Sequence, residues 1–301
     1  MESLLIILIC SLFVPGIIVK TKALFSGRKG PGIFQPWLDI IRLLKKGSVY
    51  SLVSSYVFQF GATIYLASVI VAALVVPFDK YPSLISFPGD FVMFAYMLAL
   101  GRFLIIISAL DVSSGFEGMG ANREAFYSLL AEPAFFILMG SPAMFTGYTS
   151  FHEIYSNLHY ADRYAVIIAI IAGYVLANFT LVENSRLPVD DPLTHLELTM
   201  VHEVMVLDHS GFDLGLIKIA NNLKLVLLNT LSINCFIPQD WPIVWQVTAF
   251  LFLQTLFAAG VGYVESFRAR NKMAMNPQFI LSISAISLIL IFVIIILNNK
   301  I

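Results

Sequence analysis

Stretches of about 20 mostly apolar residues divide this chain and leave it little choice of fold. There are eight, near 3–21, 58–78, 90–110, 124–146, 163–182, 214–237, 242–264 and 278–297. A helix of about 20 apolar residues crosses a bilayer core, and in lipid every backbone polar group must be satisfied inside the segment. The sequence therefore predicts an all-α polytopic membrane protein. Charge agrees: 12% of residues are charged, where soluble domains carry about 25%. The net charge of −1 offers no basic field for nucleic acid. Residues 1–301 read as one transmembrane domain. No internal repeat appears, which argues against the repeat-built transporter folds. Glu2 stands where a signal peptide carries a basic residue, so the first apolar run reads as a retained span.

Basic residues near the span ends set the orientation. The first loop holds Lys20, Lys22, Arg28, Lys29, Arg42, Lys45 and Lys46, and the last holds Arg268, Arg270 and Lys272. The intervening even-numbered loops are nearly bare of lysine and arginine. Loops one, three, five and seven, at about 20–57, 111–123, 183–213 and 265–277, are therefore expected in the cytoplasm. Both termini are then expected outside, in a multi-pass protein of the cell's inner membrane.

Loop one has two features. Gly27 to Gly32 is a glycine-rich basic turn, without the Lys-Ser/Thr pair of a phosphate-binding loop. After it, Trp37, Ile40, Ile41, Leu43 and Leu44 alternate with Arg42, Lys45 and Lys46 in the pattern of a short amphipathic helix.

Charges within the apolar runs are costly and need partners. Arg102 lies deep in the third run and should meet a carboxylate. Glu132 precedes Pro133 in the fourth, where a freed backbone carbonyl and bent axis make a polar niche. Burial there would raise its pKa and let it exchange protons. Asn122, Arg123 and Glu124 read as the capped start of that span, after a polar interfacial stretch, LDVSSGFEGMG.

The densest polar stretch is ENSRLPVDDPLTHLELTMVHEVMVLDHSG, residues 183–211. It carries Glu183, Asp190, Asp191, Glu197, Glu203 and Asp208, and three of the chain's five histidines. Arg186 is placed to neutralise Glu183. Asp191-Pro192, and Thr194 with Glu197, fit a helix start, so loop five is expected to contain a polar helix. Glu203 and Asp208 lie beyond any cap. His195 and His202 share a helical face, and HLELTMVHE is not a zinc HExxH motif. Acids and histidines in this pattern fit a proton relay, because their pKa values can be brought near 7. Lys218 and Lys224 follow in the sixth run and are candidate counter-charges. Glu265 closes the seventh run as an expected interfacial residue. Cys10 and Cys235 sit in apolar runs and cannot hold an iron–sulfur cluster alone.

Four blocks carry a resemblance: GRKGPGIFQPWLDIIRLLKK (27–46), GRFLIIISALDVSSGFEGMGANREAFYSLLAEP (101–133), the 183–211 stretch, and VESFRARNK (264–272). Together they resemble the heel subunit of respiratory complex I and its relatives in membrane-bound nickel–iron hydrogenases. The third block departs from the complex I pattern E-x-N-R-x-P-F-D-L-P-E-A-E. It is similar to the branch of formate-hydrogenlyase and Ech-type membrane anchors. The resemblance implies a non-catalytic membrane subunit with no metal or cofactor of its own. It implies cytoplasmic hydrogenase-like large and small subunits, iron–sulfur subunits and antiporter-like membrane subunits as partners, with the nickel–iron centre and clusters held in those partners. By matching position it implies an ion pathway through Glu124, Glu132, Glu183, Asp190, Glu197 and Glu203, joined by His195 and His202 from the residue chemistry. Arg102, Arg123 and Arg186 would be counter-charges, with Lys218 and Lys224. The docking surface would include Arg28, Lys29, Gly30, Pro31, Gly32, Asp39 and Arg42. The competing readings are a quinone-site heel subunit of a complex I-like dehydrogenase, a stand-alone ion carrier, and a purely structural anchor.

Overall fold

The computed structural model describes residues 2–51, 53–78, 83–158, 164–191, 200–238 and 241–298. Its helices are α1 (Glu2–Phe25), α2 (Gln35–Leu44), α3 (Tyr56–Val75), α4 (Asp90–Asp111), α5 (Gly115–Thr146), α6 (Phe151–Leu158), α7 (Ala165–Glu183), α8 (His202–Met205), α9 (Gly211–Asn234), α10 (Ile243–Phe267) and α11 (Asn276–Asn298). Among the described residues, 8 helices are long and apolar enough to cross a membrane, and they match the eight apolar runs.

The helix α9 is the hub. It packs against α1, α2, α3, α7 and α10, and it is the least apolar of the eight yet the most buried. Its polar side chains are thus kept from lipid by neighbours. The pair α3–α4 packs closely. A Cβ at Gly61 would overlap Ser108 Oγ, and one at Gly101 would overlap Ser68 Oγ. Small residues let helix backbones approach closely in membranes.

The basic and acidic loops share one end of the bundle. Ser55 N–H donates to Asp111 Oδ2 at 2.6 Å, tying the start of α3 to the end of α4. Asn271 N–H donates to the Pro188 carbonyl at 3.1 Å, tying loop seven to loop five. At the opposite end, Asp90 accepts from Ser150 Oγ and Phe151 N–H and so caps α6.

The amphipathic helix of loop one is present as α2. Ile40 is buried, Leu43 and Leu44 lie where a Cβ at Gly215 of α9 would touch them, and Trp37 Nε1 donates to the Ser11 carbonyl at 3.1 Å. Two expectations need correction. The fourth span starts at Gly115, so Asn122 lies inside α5 and is no cap, and 115–123 is helix, not loop. The polar turns are stable because their charges are used. Glu117 Oε1 accepts Asp208 N–H, and Arg123 Nη1 donates to the Met200 carbonyl at 2.9 Å. In loop five the described helix is only the short α8. The expected helix start at Pro192, Thr194 and Glu197 lies outside the described residues.

Candidate functional site

Arg102 is the centre of the site. It projects from the middle of α4 and is buried. Its Nη2 meets Glu183 Oε2, Nη1 lies 3.3 Å from Glu132 Oε1, and Nε lies 3.9 Å from Glu124 Oε1. Three carboxylates from α5 and the end of α7 thus converge on one guanidinium, whose fork geometry suits several acceptors. Lys224 of α9 is also buried, and its Nζ donates to the Glu183 carbonyl at 2.5 Å. Charged groups this deep are retained only when paired.

A second chain of contacts leads away from Lys224. Its Nζ lies 6.0 Å from the centroid of the Tyr65 ring. Tyr65 Oη donates to Asn221 Oδ1 at 2.6 Å, and Asn221 Nδ2 contacts His202 Nε2 at 2.9 Å. The backbone N–H groups of Val201 and His202 donate to Asp190 Oδ2, and Asp190 Oδ1 pairs with Arg270 at 3.1 Å.

These groups meet a cavity of about 350 Å³ between α1, α2, α9 and loop five. Its lining includes Asp39, Arg186, Asp190, His202, Glu203 and Lys218. Water loss around the His202 ring, with Lys224 and Arg102 nearby, pushes its pKa down to about 3. His202 is therefore neutral near pH 7. Burial raises the Asp190 carboxyl above its ordinary range, and Arg270 with three backbone N–H groups opposes this.

The expected residues divide accordingly. Arg102, Glu124, Glu132, Glu183 and Lys224 form the centre, and Asp190, His202, Glu203 and Lys218 belong to the cavity. Glu197 and His195 lie outside the described residues. Lys218 lines the cavity from an exposed position. Glu132 is not a buried acid: its side chain is 44% exposed, at the rim of the centre. Arg186 does not neutralise Glu183. It pairs with Glu265 at 3.1 Å, and Lys22 lies 3.6 Å from the same carboxylate. Glu265, in the last turn of α10, is buried between those two cations. Of the docking residues, Arg28, Lys29, Gly30, Pro31 and Gly32 form an exposed turn, and Asp39 pairs with Arg42 at 3.0 Å.

Sequence reasoning missed Tyr65, Asn221, Arg270 and Glu117. Tyr65 and Asn221 are unremarkable within apolar spans, and nothing local flags them. Arg270 stands in the fourth block, where its charge was visible but its partner was not.

Comparisons place this geometry among known proteins. Residues 1–292 match the family described as NADH dehydrogenase. Formate hydrogenlyase subunit 4 of Escherichia coli (strain K12) is 28% identical over 272 residues, covering 87% of this chain and 87% of that protein. Hydrogenase-4 component C of the same organism is 29% identical over 237 residues, covering 79% and 74%. A subunit of the NADH-quinone oxidoreductase of Neisseria meningitidis serogroup C is 23% identical over 238 residues, covering 73% of this chain and 65% of that one. The fold is shared with a chain of the membrane-bound sulfane sulfur reductase, an archaeal respiratory membrane complex, at a TM-score of 0.82 and 19% identity over 97% of this chain and 98% of that one. A match along nearly the whole length, on a fold with eight candidate spans, shows that the chain belongs to the NADH dehydrogenase family.

Proposed function

We propose that this chain is the non-catalytic membrane subunit of an ion-translocating oxidoreductase complex of the hydrogenase type. It anchors a cytoplasmic redox module on the face formed by loops one, three, five and seven. Hydrogenase-like large and small subunits with iron–sulfur partners would supply the electron chemistry, including the nickel–iron centre. Antiporter-like membrane subunits would lie beside it in the inner membrane. The relatives named for formate hydrogenlyase and hydrogenase-4 support this reading.

One observation carries the coupling role. Glu124, Glu132 and Glu183 face Arg102, with Lys224 as the second cation. Three carboxylates against two cations leave one negative charge without a partner. That excess of carboxylate is the place where a proton would be exchanged as neighbouring charge changes. The cavity beside Asp190, His202 and Glu203 serves as its mouth toward the redox module.

The test is Glu124→Gln and, separately, Glu183→Gln, in the intact complex reconstituted into vesicles. Proton uptake and electron transfer are measured together. The expected outcome is an assembled complex with a lowered ratio of protons moved to electrons transferred. An unchanged ratio in both variants overturns the coupling role.

A further inference from the structure

Loop seven and the start of α11 grip three consecutive residues of loop five. Asn271 N–H donates to the Pro188 carbonyl at 3.1 Å, Asn276 Nδ2 donates to the Val189 carbonyl at 2.9 Å, and Arg270 Nη2 lies 3.1 Å from Asp190 Oδ1. The same Asn276 Nδ2 donates to Tyr127 Oη of α5 at 3.2 Å. One amide thus joins α11, loop five and α5.

Capping does not account for Asn276. An asparagine at a helix start ordinarily turns its side-chain oxygen onto the N–H groups of the first turn. Asn276 opens α11 and is fully buried, and its Oδ1 has no hydrogen-bond partner. A buried acceptor left unmet costs stability. The side chain is therefore turned away from its own helix, with its amide nitrogen committed to two other elements.

Both partners bear on the pathway. The peptide between Val189 and Asp190 is planar, so holding the Val189 oxygen sets the direction in which Asp190 leaves the turn. The other edge of that peptide is held too, with Asp190 N–H on the Arg186 carbonyl at 3.3 Å. Asp190 in turn receives the Val201 and His202 N–H groups and lines the large cavity. On α5, Tyr127 stands three residues after Glu124, on the same face. Tyr127 and Val189 line one small cavity together with Arg102, Glu124 and Glu183. The two hydrogen bonds of Asn276 therefore end beside the charged centre and beside the cavity mouth.

We infer that Asn276 is a positioning residue of the ion pathway. Through the Val189 carbonyl it sets Asp190 against the cavity, and through Tyr127 it sets the turn of α5 that carries Glu124. A shift of loop five then reaches the charged centre through this amide. The inference rests on the proposed function for what the pathway carries.

The experiment uses the intact complex in vesicles, with Asn276→Ala and, separately, Tyr127→Phe. Hydrogen exchange at Val201 and His202 reports the hold on Asp190, and protons moved per electron report the pathway. Expected in Asn276→Ala is exchange about fivefold faster, the loss of about one hydrogen bond, together with a lowered ratio. Tyr127→Phe should lower the ratio and leave that exchange at the wild-type rate. A wild-type ratio in either variant overturns the inference, because a mere tether changes melting temperature and yield and leaves the ratio alone. Wild-type exchange in Asn276→Ala overturns it as well. Should Asn276→Ala not assemble, Asn276→Ser, which keeps one donor, takes its place under the same criteria. If Glu124→Gln and Glu183→Gln also keep the wild-type ratio, the proposed function has failed. If those two lower it and the Asn276 and Tyr127 variants do not, only the positioning role has.

Discussion

Arg102 and Glu183 stand 81 residues apart in sequence and meet in the buried centre, the guanidinium of α4 against the last residue of α7. That contact fixes where the 183–191 segment leaves the bundle. Around it Glu124 and Glu132 add charge, and Lys224 reaches the Glu183 carbonyl from α9. Through this one pair, four spans are joined.

Arg102→Met is expected to destabilise the chain by about 3–5 kcal/mol, because removing one partner leaves buried charge uncompensated. Arg102→Lys keeps the charge and loses the fork, so it should fall between. Thermal unfolding in detergent checks the order. A methionine variant as stable as wild type contradicts the pairing.

Glu132→Gln and Glu203→Gln probe the two edges of the pathway. Neither side chain is fully buried, so both variants should assemble. Glu132→Gln removes one carboxylate from the centre and should lower the protons moved per electron. Glu203→Gln changes the cavity wall and should slow turnover while keeping that ratio. Vesicle proton uptake beside electron-transfer rate separates the two.

The histidines set a pH dependence. Burial holds His202 down to about 3 and His209 to about 4. Their unfolded rings titrate near 6.5, so between about pH 6.5 and 4 the unfolded chain binds more protons and stability falls as pH falls. Asp190 acts oppositely. Its raised carboxyl contributes stability at low pH that is lost as pH rises through its folded value. The melting temperature measured from neutral to mildly acid pH should fall, and His209→Phe should flatten the slope. That variant keeps the stack on Phe58 and removes two buried unpaired nitrogens, so it should also gain about 1 kcal/mol at neutral pH.

Gly211 holds the entrance of α9 against loop one. Its φ is +50°, and a Cβ there would overlap the Gly47 carbonyl oxygen. Gly211→Ala should cost about 1–3 kcal/mol and separate loop one from loop five. Limited proteolysis near residues 47–55 reports the separation as faster cleavage.

The exposed basic turn gives a docking prediction. Reversing Arg28 and Lys29 together to Glu should leave the membrane fold intact, since both side chains are exposed. It should weaken retention of the soluble subunits, more so at low salt where charge acts over longer range. Co-purification across a salt series is the measurement.

The spans were legible because apolar length is a local property, and all eight fell where the pattern put them. α2 was legible for a similar reason: its periodicity is written within a few turns of chain. The start of α5 was not. LDVSSGFEGMG reads as loop by composition, yet α5 begins within it at Gly115, where Glu117 and, further on, Arg123 are tied to loop five. Arg102's need for a carboxylate could be read from its cost in lipid, but which carboxylates answered could not. Arg186 illustrates the limit. Proximity in sequence favoured Glu183, while the fold carried Glu265 from 79 residues away to take its place. Tyr65 and Asn221 acquire a role only once α3 and α9 lie side by side.

The open flank of Glu132 also bears on how the protein must be made. A carboxylate partly exposed on a membrane-crossing helix is an unfinished surface. A chain synthesised without its neighbours would offer that group to hydrocarbon, a defect that membrane quality control can sense. The yield of the chain produced alone should therefore rise in Glu132→Leu.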